Sequence, residues 1–335
     1  MEKRRLGKTE MMVSLVGLGG IPLQRVDQEQ ATQIIKAAHE SGINFIDTAR
    51  AYSVSESLIG NALETLGLRE EFYLATKSMH RIYSAMKSEI ETSLKNLKTD
   101  YIDLYQVHLI KTKKDYDTVM SEEGAYRALL EAKAEGKIRF IGITGHDAKL
   151  IEGLTDPEFF DTVQFPYNPV EPQGEPVFRK AVKHDMGTIV MKPVAGGAIT
   201  DVPSSLKWIK ENPDVFLMIP GMDSVEQVIE NVRALETPLE EVKRRELEAF
   251  AKELGTEFCR RCGYCLPCPM GIDIPTMFLF EGYLKRYNLG EWSRERYSSV
   301  ENKASACIKC GICETRCPYD LPIIKMMKRV AETFE

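Results

Sequence analysis

The chain alternates short apolar or β-branched runs with longer stretches in which apolar residues recur at helical spacing. Runs of about four to eight such residues are typical of parallel strands that are buried on both faces. The predicted strands occupy residues 13–18, 43–47, 72–77, 101–108, 138–144, 162–165, 187–192 and 215–219. Amphipathic helices are predicted between them, including residues 28–41, 84–96, 124–135 and 224–235. The pattern therefore indicates a repeated strand–helix unit.

Eight strand–helix units within roughly 250 residues have the size and rhythm of a (β/α)8 barrel. We therefore predict the α/β class with a TIM barrel as the main domain. An open, doubly wound sheet is the alternative layout, and the number of strands disfavours it only in part. The N-terminal 20 residues are predicted to contain a hairpin, because their apolar stretch is too short and too interrupted by glycine for a signal peptide.

The sequence changes in character after a further predicted helix at residues 238–255, which ends at Gly255. All eight cysteines follow it, between Cys259 and Cys317. We therefore predict a barrel domain at residues 1–255 and a small, mainly helical domain at residues 256–335, with helices near 275–286 and 291–300. At a rise of ~1.5 Å per residue, the helix before the boundary spans roughly 27 Å and can return the chain to the catalytic face of the barrel.

Composition and charge exclude several classes of protein. The 335 residues are 43% hydrophobic and 28% charged, with a formal net charge of −6, a balance typical of folded domains. Since no long run of one charge is present, a basic surface for nucleic acid or acidic lipid is not expected. No stretch approaches the roughly 20 apolar residues that cross a membrane. The close cysteine spacing argues against a secreted disulfide protein, so the cytoplasm is expected.

The cysteines form two matching groups. The second group has the spacing C-x2-C-x2-C-x3-C-P, which bacterial ferredoxins use for [4Fe–4S] clusters, and the first group is one residue shorter before its last cysteine. In such proteins the last cysteine of each group completes the other cluster. The predicted ligands of one cluster are Cys259, Cys262, Cys265 and Cys317, and those of the other are Cys307, Cys310, Cys313 and Cys268.

Two zinc sites are the alternative for these cysteines, since four thiolates also suit tetrahedral zinc. Three cysteines at successive x2 spacing followed by Cys-Pro favour iron–sulfur clusters. Clusters that only stabilise a small domain without a sufficient core are a separate possibility. The mainly helical segment between the two groups resembles the α-helical ferredoxin domains of larger redox enzymes.

Four polar residues lie at the ends of predicted strands, where the catalytic face of a barrel is found. They occur in FIDTAxxY, ATK and DLYQVH and are Asp47, Tyr52, Lys77 and His108. Together with RLGKT near the N-terminus and SExxIGxAL at residues 55–63, they resemble the aldo-keto reductase family over about residues 3–235. The cysteine tail is similar to that of the iron–sulfur branch of the family.

This resemblance implies an Asp–Tyr–Lys–His tetrad that reduces a carbonyl group or oxidises an alcohol. Tyr52 is expected to donate the proton, and His108 to orient the substrate oxygen. Because an unperturbed tyrosine has a pKa of about 10, Lys77 is expected to lower the pKa of Tyr52, with Asp47 keeping Lys77 charged.

The resemblance also implies a nicotinamide cofactor, although the match is looser there. The expected cofactor-binding residues are Gly20, Thr144, Gln164, Met191, Lys192, Gly221, Asp223, Gln227 and Asn231. Thr144-Gly145 replaces the family's Ser-Asn pair, and Met191 replaces its usual aromatic residue. Asp223 lies in the loop that would meet a 2′-phosphate, and residues 220–232 contain no lysine or arginine. NAD(H) is therefore slightly favoured over NADP(H), unless Lys192 or Lys207 reaches this loop.

The sequence thus predicts an oxidoreductase that transfers hydride between NAD(P)H and a small carbonyl or alcohol substrate, with two [4Fe–4S] clusters. The cluster domain is expected beside the substrate pocket, where it delivers electrons or shapes access. A ferredoxin or another redox protein is the expected partner. One alternative is a ferredoxin-linked reductase whose barrel no longer uses nicotinamide, and another is a redox-sensing regulatory subunit.

Overall fold

The computed structural model describes residues 1–335. Its strands are β1 (Lys3–Arg5), β2 (Met12–Ser14), β3 (Leu18–Gly19), β4 (Phe45–Asp47), β5 (Tyr73–Ser78), β6 (Ile102–Ile110), β7 (Ile138–Gly145), β8 (Thr162–Pro166), β9 (Gly187–Met191) and β10 (Leu217–Met218). Its α-helices are α1 (Gln28–Glu40), α2 (Ser55–Leu66), α3 (Tyr83–Leu97), α4 (Lys113–Met120), α5 (Ala125–Ala134), α6 (Ala148–Leu154), α7 (Glu175–Lys183), α8 (Val202–Lys210), α9 (Val225–Ala234), α10 (Glu241–Leu254), α11 (Ile274–Lys285), α12 (Gly290–Ser298), α13 (Ile312–Thr315) and α14 (Ile323–Phe334).

Strands β3 to β10 form one parallel sheet in which every strand pairs with its neighbour in the sequence. The two edge strands also meet. Gly17 N donates to Met218 O at 2.8 Å and Gly19 N donates to Pro220 O at 2.9 Å, with parallel bridges Val16–Met218 and Gly19–Gly221. The sheet therefore closes on itself, which confirms the predicted (β/α)8 barrel and excludes the open doubly wound alternative.

Each barrel strand is followed by a helix that packs on the outside of the sheet. Several of these helices begin at polar residues that satisfy free backbone amides. Asp27 and Gln30 form a capping box at the start of α1, and the side chain of Ser224 accepts a hydrogen bond from Gln227 N at the start of α9. The apolar residues of these helices and of the outward-facing strand positions form a core of 50 buried residues.

The predicted strand at residues 13–18 is wrong in one respect, because two separate elements occupy it. Its first part belongs to β2, which forms an antiparallel hairpin with β1, and only Leu18 and Gly19 belong to the barrel. The hairpin ends where Leu15 N bonds to Glu2 O at 2.9 Å. Leu6, Met11 and Val13 from this hairpin pack against the apolar residues inside the barrel, so the hairpin covers one end of the barrel interior.

The C-terminal region is helical, as predicted. Helix α10 packs against α8, and its Leu247 and Ala251 join Phe258 in a small core against the barrel loop at Ala195 and Ile199. Helices α11, α12 and α14 then enclose a separate core of 13 buried residues, into which five cysteines reach from its surface. No helix combines the length and the apolar composition that crossing a membrane requires.

Candidate functional site

The four tetrad residues lie together at the carboxyl ends of β4, β5 and β6. Lys77 and Asp47 are both buried, and Lys77 Nζ donates to Asp47 Oδ1 at 2.5 Å and to Thr48 O at 2.7 Å. Gln106 Nε2 donates to the other carboxylate oxygen of Asp47 at 3.2 Å. These bonds hold the lysine side chain inside the mouth of the barrel.

Tyr52 and His108 complete the group. Their rings are perpendicular, with centroids 6.2 Å apart, and Lys77 Nζ lies 5.2 Å from the centroid of the Tyr52 ring. Both rings keep a small accessible surface, although protein surrounds them closely. The structure therefore brings all four predicted residues to one position from which the phenol and the imidazole can reach the same substrate atom.

The expected effect of Lys77 on Tyr52 is not found. Burial raises the pKa of Tyr52 well above its usual value, and Asp47, Tyr283 and Tyr287 add to the increase. The ammonium of Lys77 is held by Asp47 and lies over the ring face, and burial lowers its own pKa. Tyr52 therefore keeps its proton at neutral pH.

His108 is neutral for a similar reason. Burial lowers the pKa of His108 well below its usual value, and the cations of Lys77, Arg81 and Lys192 lower it further. Its Nδ1 is buried without a hydrogen-bond partner. A neutral imidazole can donate a hydrogen bond from one nitrogen, so His108 is suited to polarise a carbonyl oxygen without transferring its proton.

The predicted nicotinamide-binding residues lie beside the tetrad. Gln164, in the middle of β8, is buried next to Asp47, and its Oε1 has no hydrogen-bond partner. Thr144 Oγ1 accepts a hydrogen bond from Leu109 N at 2.8 Å, which leaves its hydroxyl hydrogen available. At Gly20 a Cβ would lie 2.9 Å from Asp47 O, so the glycine permits close packing at the rim of the site. An amide ligand would satisfy the free oxygen of Gln164.

Met191 is the last residue of β9, and Lys192 follows it directly. Lys192 has a φ of +54° and its carbonyl accepts a hydrogen bond from Asn168 Nδ2 at 2.9 Å. Burial lowers the pKa of Lys192 well below its usual value, and the nearby guanidinium of Arg261 acts in the same direction. Cys259 acts in the opposite direction and offsets part of this decrease in the pKa of Lys192. Lys192 is therefore within electrostatic range of both His108 and Cys259.

The remaining predicted cofactor residues lie around the end of β10, with Gly221 and Gln227 exposed and Asn231 buried. Gln227 Oε1 accepts from Asp223 N at 2.9 Å, which orders the loop before α9. Asp223 forms an ion pair with Arg25 at 2.6 Å. Sequence reasoning missed Arg25, because it lies far from Asp223 in the chain and reaches the loop only through closure of the barrel.

Neither lysine that could have altered the cofactor preference reaches this loop. Lys207 Nζ donates to Thr237 Oγ1 at 2.9 Å, and Lys192 lies on the side of the cysteine segment. Arg25 is thus the cation beside Asp223.

A segment of the C-terminal domain covers the same side of the barrel mouth. Arg25 Nη1 donates to the carbonyl oxygen of Tyr287, just beyond α11. The Tyr287 hydroxyl lies 2.5 Å from the position a Cβ would occupy on Gly196, in the loop after β9. The rings of Tyr283 and Tyr287 pack edge to face, with their centroids 5.1 Å apart. The end of α11 therefore contacts the loops after β3 and β9, and Arg25 connects it to Asp223 in the loop after β10. The C-terminal domain was expected beside the pocket, but no pattern in the sequence indicated these contacts.

The eight cysteines surround two cavities and form no disulfide. The first cysteine cavity, of about 320 Å³, is lined by Cys259, Cys262, Cys265 and Cys317. The second cysteine cavity, of about 400 Å³, is lined by Cys265, Cys268, Cys307, Cys310 and Cys313. Each cavity thus holds one of the two predicted ligand sets, and Cys265 lies between them.

The cavities fit clusters better than single metal ions. Each is lined mainly by apolar side chains, with Ile274 contributing to both. No three side chains of the ligand-forming types converge on one point, so the thiols are spread around a volume. Thiolates distributed around an apolar volume suit a cubane, whose irons each take one cysteine.

Arg261 joins the first cysteine segment to the barrel. Its Nη1 donates to Cys259 O at 3.1 Å, and its Nη2 forms an ion pair with Glu171 Oε1 at 2.6 Å. Asn168 Nδ2 donates to the other carboxylate oxygen of Glu171 at 3.1 Å. Because Asn168 also binds the carbonyl of Lys192, a continuous set of polar contacts links the first cysteine cavity to the end of β9.

Comparisons with known proteins agree with this geometry. Residues 15–204 match the aldo/keto reductase family, and residues 258–322 match the 4Fe-4S dicluster domain. The chain is 27% identical to the NADH-specific methylglyoxal reductase of Escherichia coli, over 76% of this chain and 99% of that protein. It is 29% identical to L-galactose dehydrogenase of Arabidopsis thaliana, over 70% of this chain and 88% of that protein.

A solved structure supports the same conclusion. The holo form of aldo-keto reductase AKR11C1 from Bacillus halodurans superposes with a TM-score of 0.64 at 27% identity, over 75% of this chain and 96% of that one. The family match spans more than half of the chain and includes the strand ends that carry the tetrad. The protein is therefore a member of the aldo/keto reductase family, an oxidoreductase barrel followed by a 4Fe-4S dicluster domain.

Proposed function

We propose that the protein reduces a small carbonyl compound to an alcohol, or catalyses the reverse reaction, with a nicotinamide cofactor. The observation that carries this proposal is the group formed by Lys77, Asp47, Tyr52 and His108. The phenol and the imidazole face one position, and the lysine–aspartate pair stands behind the phenol. Reduction requires a hydride on carbon and a proton on oxygen, and this arrangement supplies the proton.

When bound, the nicotinamide supplies the hydride. Tyr52 keeps its proton until the carbonyl oxygen gains negative charge, and then donates it, since burial holds the pKa of the phenol high. His108 donates a hydrogen bond to the same oxygen and orients it. The ammonium of Lys77 stabilises the tyrosinate that results, and Asp47 fixes the ammonium in place.

We further propose that NADH is preferred. Gln164 and Thr144 would hold the carboxamide, Met191 would contact the ring, and Lys192, Gly20 and Gly221 would lie along the cofactor. The ribose and adenine would lie against Asp223, Gln227 and Asn231. Asp223 disfavours a 2′-phosphate, although its pairing with Arg25 weakens that effect. A relative named an NADH-specific reductase agrees with this preference.

The two cysteine cavities would each hold one [4Fe–4S] cluster, which transfers one electron at a time. The first would be ligated by Cys259, Cys262, Cys265 and Cys317. The second would be ligated by Cys268, Cys307, Cys310 and Cys313. We also propose residues 1–255 and 256–335 as the two domains, in support of which α11, α12 and α14 enclose a core of their own. Eight free cysteines fit a reducing compartment such as the cytoplasm.

A ferredoxin-linked reductase is the second candidate. It is favoured by the end of α11, which contacts the loops after β3 and β9, and whose partner Arg25 pairs with Asp223 in the loop where a dinucleotide would lie. Here two reduced one-electron carriers would each lose an electron, and the carbonyl would gain two electrons and two protons. The polar contacts that run from Cys259 through Arg261, Glu171 and Asn168 to Lys192 would place the first cluster near the pocket.

Anaerobic binding experiments on the cluster-loaded protein separate the candidates. NADH and NADPH are titrated by calorimetry, and turnover of methylglyoxal is then followed together with the visible absorbance of the clusters. Binding of NADH followed by its oxidation supports the first candidate. If neither nucleotide binds while methylglyoxal oxidises the pre-reduced clusters, the second candidate is correct.

A further inference from the structure

The two cysteine segments repeat each other in sequence and in backbone conformation. R-C-G-Y-C at residues 261–265 corresponds to K-C-G-I-C at residues 309–313. Arg261 and Lys309 have φ values of +60° and +57°, and the glycines that follow them, Gly263 and Gly311, have +84° and +78°. Each segment therefore presents a cation in the same position relative to its cysteines.

The two cations, Arg261 and Lys309, differ in their ion-pair partners. Arg261 pairs with Glu171 of the barrel at 2.6 Å and is only 9% exposed. Lys309 is exposed and forms no ion pair. The first segment therefore docks on a carboxylate of its own chain, whereas the equivalent position of the second segment is free to meet a carboxylate of another molecule.

The surface around Lys309 has the apolar character of a docking site. Five of the 14 large apolar side chains that are exposed lie in the two cysteine segments, and Ile308 is 60% exposed. Ile308 and Met270 both line the second cysteine cavity, and Cys310 is the most exposed of the eight cysteines. Exposed apolar residues next to a redox centre mark a site of protein contact.

Two cations at this surface, Lys309 and Arg316, have no ion-pair partner. Arg316 is exposed and donates only to Pro267 O, at 3.2 Å. The carboxylate of Glu314 is engaged by Ile324 N at 2.8 Å. We propose that the surface formed by Met270, Ile308, Lys309, Ile312 and Arg316 binds an acidic one-electron carrier protein, which exchanges electrons with the second cysteine cavity.

A cluster held in the second cavity would gain the one electron that the carrier loses, and no bond would form or break. Because Cys265 lines both cavities, the next acceptor would be a cluster held in the first cavity. The first cavity lies on the barrel side, where Arg261 and Glu171 hold its cysteine segment. This inference rests on the proposed cluster ligation and does not depend on nicotinamide use.

The test uses an acidic plant-type [2Fe–2S] ferredoxin as the probe. Its oxidised form is titrated into the cluster-loaded protein by calorimetry, with Lys309→Glu compared with the parent. The expected result is at least a tenfold weaker affinity for K309E, and a parent affinity that falls with added salt. Lys114→Glu changes an exposed, unpaired lysine on α4 and serves as the matched control.

Two further measurements complete the test. Reduction of the clusters by the reduced ferredoxin should slow in K309E, while reduction by dithionite should stay unchanged, which shows that the clusters are intact. Sedimentation checks whether the surface binds a second copy of the chain. The proposal is overturned if the parent does not bind ferredoxin, if K309E binds as the parent does, if K114E weakens binding equally, or if Ile308→Glu converts a dimer into a monomer. Failure of carbonyl reduction would leave the ferredoxin affinity unchanged, so the two proposals fail separately.

Discussion

The guanidinium of Arg261 and the carboxylate of Glu171 form a buried ion pair, with Nη2 and Oε1 2.6 Å apart, between the first cysteine segment and the barrel. Glu171 is completely buried and Arg261 is 9% exposed. Two charged side chains that are buried away from water are tolerated only as a pair, because either charge alone would be strongly destabilising. The position of the first cysteine cavity relative to β9 therefore depends on this contact.

Replacement of Glu171 tests that dependence. Glu171→Gln keeps the shape of the side chain but leaves the Arg261 cation buried without a counter-charge, which we expect to reduce the free energy of unfolding by about 3 kcal/mol. Anaerobic urea denaturation of the cluster-loaded protein measures the change. Glu246→Gln breaks an exposed ion pair with Lys243 and should have no measurable effect. Equal stability of the two variants would contradict the role of the buried pair.

Gly196 allows the end of α11 to dock on the barrel. Its φ is +64°, and an added Cβ would lie 2.5 Å from the Tyr287 hydroxyl. Gly67 has a φ of +66° with no atom within 4 Å, so Gly67→Ala carries only the backbone cost of about 1–2 kcal/mol. Gly196→Ala should carry that cost and also displace Tyr287. We expect faster proteolysis of the segment after α10 in Gly196→Ala than in Gly67→Ala, and equal rates would show that the contact is unimportant.

The residues that sequence reasoning found and missed differ in a physical way. Asp47, Lys77 and His108 could be located because strands in a parallel barrel end at the same face, so position along the strand predicts position in space. The cysteines could be grouped because their spacing is local. Arg25 and Tyr287 could not be found, since their contacts depend on barrel closure and on how the C-terminal domain sits on it.

The sequence motifs were also insufficient to predict the pKa of Tyr52. Placing Lys77 near Tyr52 suggested a lowered tyrosine pKa, whereas burial raises the pKa of Tyr52 and Asp47 adds to the increase. Tyr283 and Tyr287, from the other domain, also contribute to the increase. Strand-end motifs therefore identify the groups but not their protonation.

Stability should fall in acid because two histidines are kept neutral. Burial lowers the pKa of both His108 and His146 well below their usual values. Below about pH 6.5 the unfolded chain binds protons that the folded chain does not, so unfolding becomes easier as pH falls. Each histidine lowers the free energy of unfolding by up to about 1.4 kcal/mol for each unit by which the pH falls. His146→Gln should reduce the slope of unfolding free energy against pH. His39→Gln, at a partly exposed position on α1, is the control, and an unchanged slope in His146→Gln would contradict the assignment.

Loss of the Tyr52 hydroxyl should remove proton donation and little else. Tyr52→Phe is expected to lower kcat for methylglyoxal by about 10²- to 10⁴-fold, because the ring and the Lys77–Asp47 pair remain. The Kd for NADH should be unchanged. Tyr101→Phe, which removes a hydroxyl bonded to Glu70 at 3.0 Å on the protein surface, is the matched control. A variant that keeps its kcat would exclude Tyr52 as the proton donor.

Asp223 and Arg25 should together decide between the two nicotinamide cofactors. Asp223 repels a 2′-phosphate and also holds Arg25, at 2.6 Å. Asp223→Ser removes the repulsion and frees a guanidinium that can pair with the phosphate, so the affinity for NADPH should rise about tenfold or more, while that for NADH should not rise. Calorimetric titration of both nucleotides measures this. The double variant with Arg25→Met should lose the gain, because the cation that binds the phosphate is then absent. If the higher affinity for NADPH persists without Arg25, another cation binds the 2′-phosphate and the proposed orientation of the cofactor is wrong.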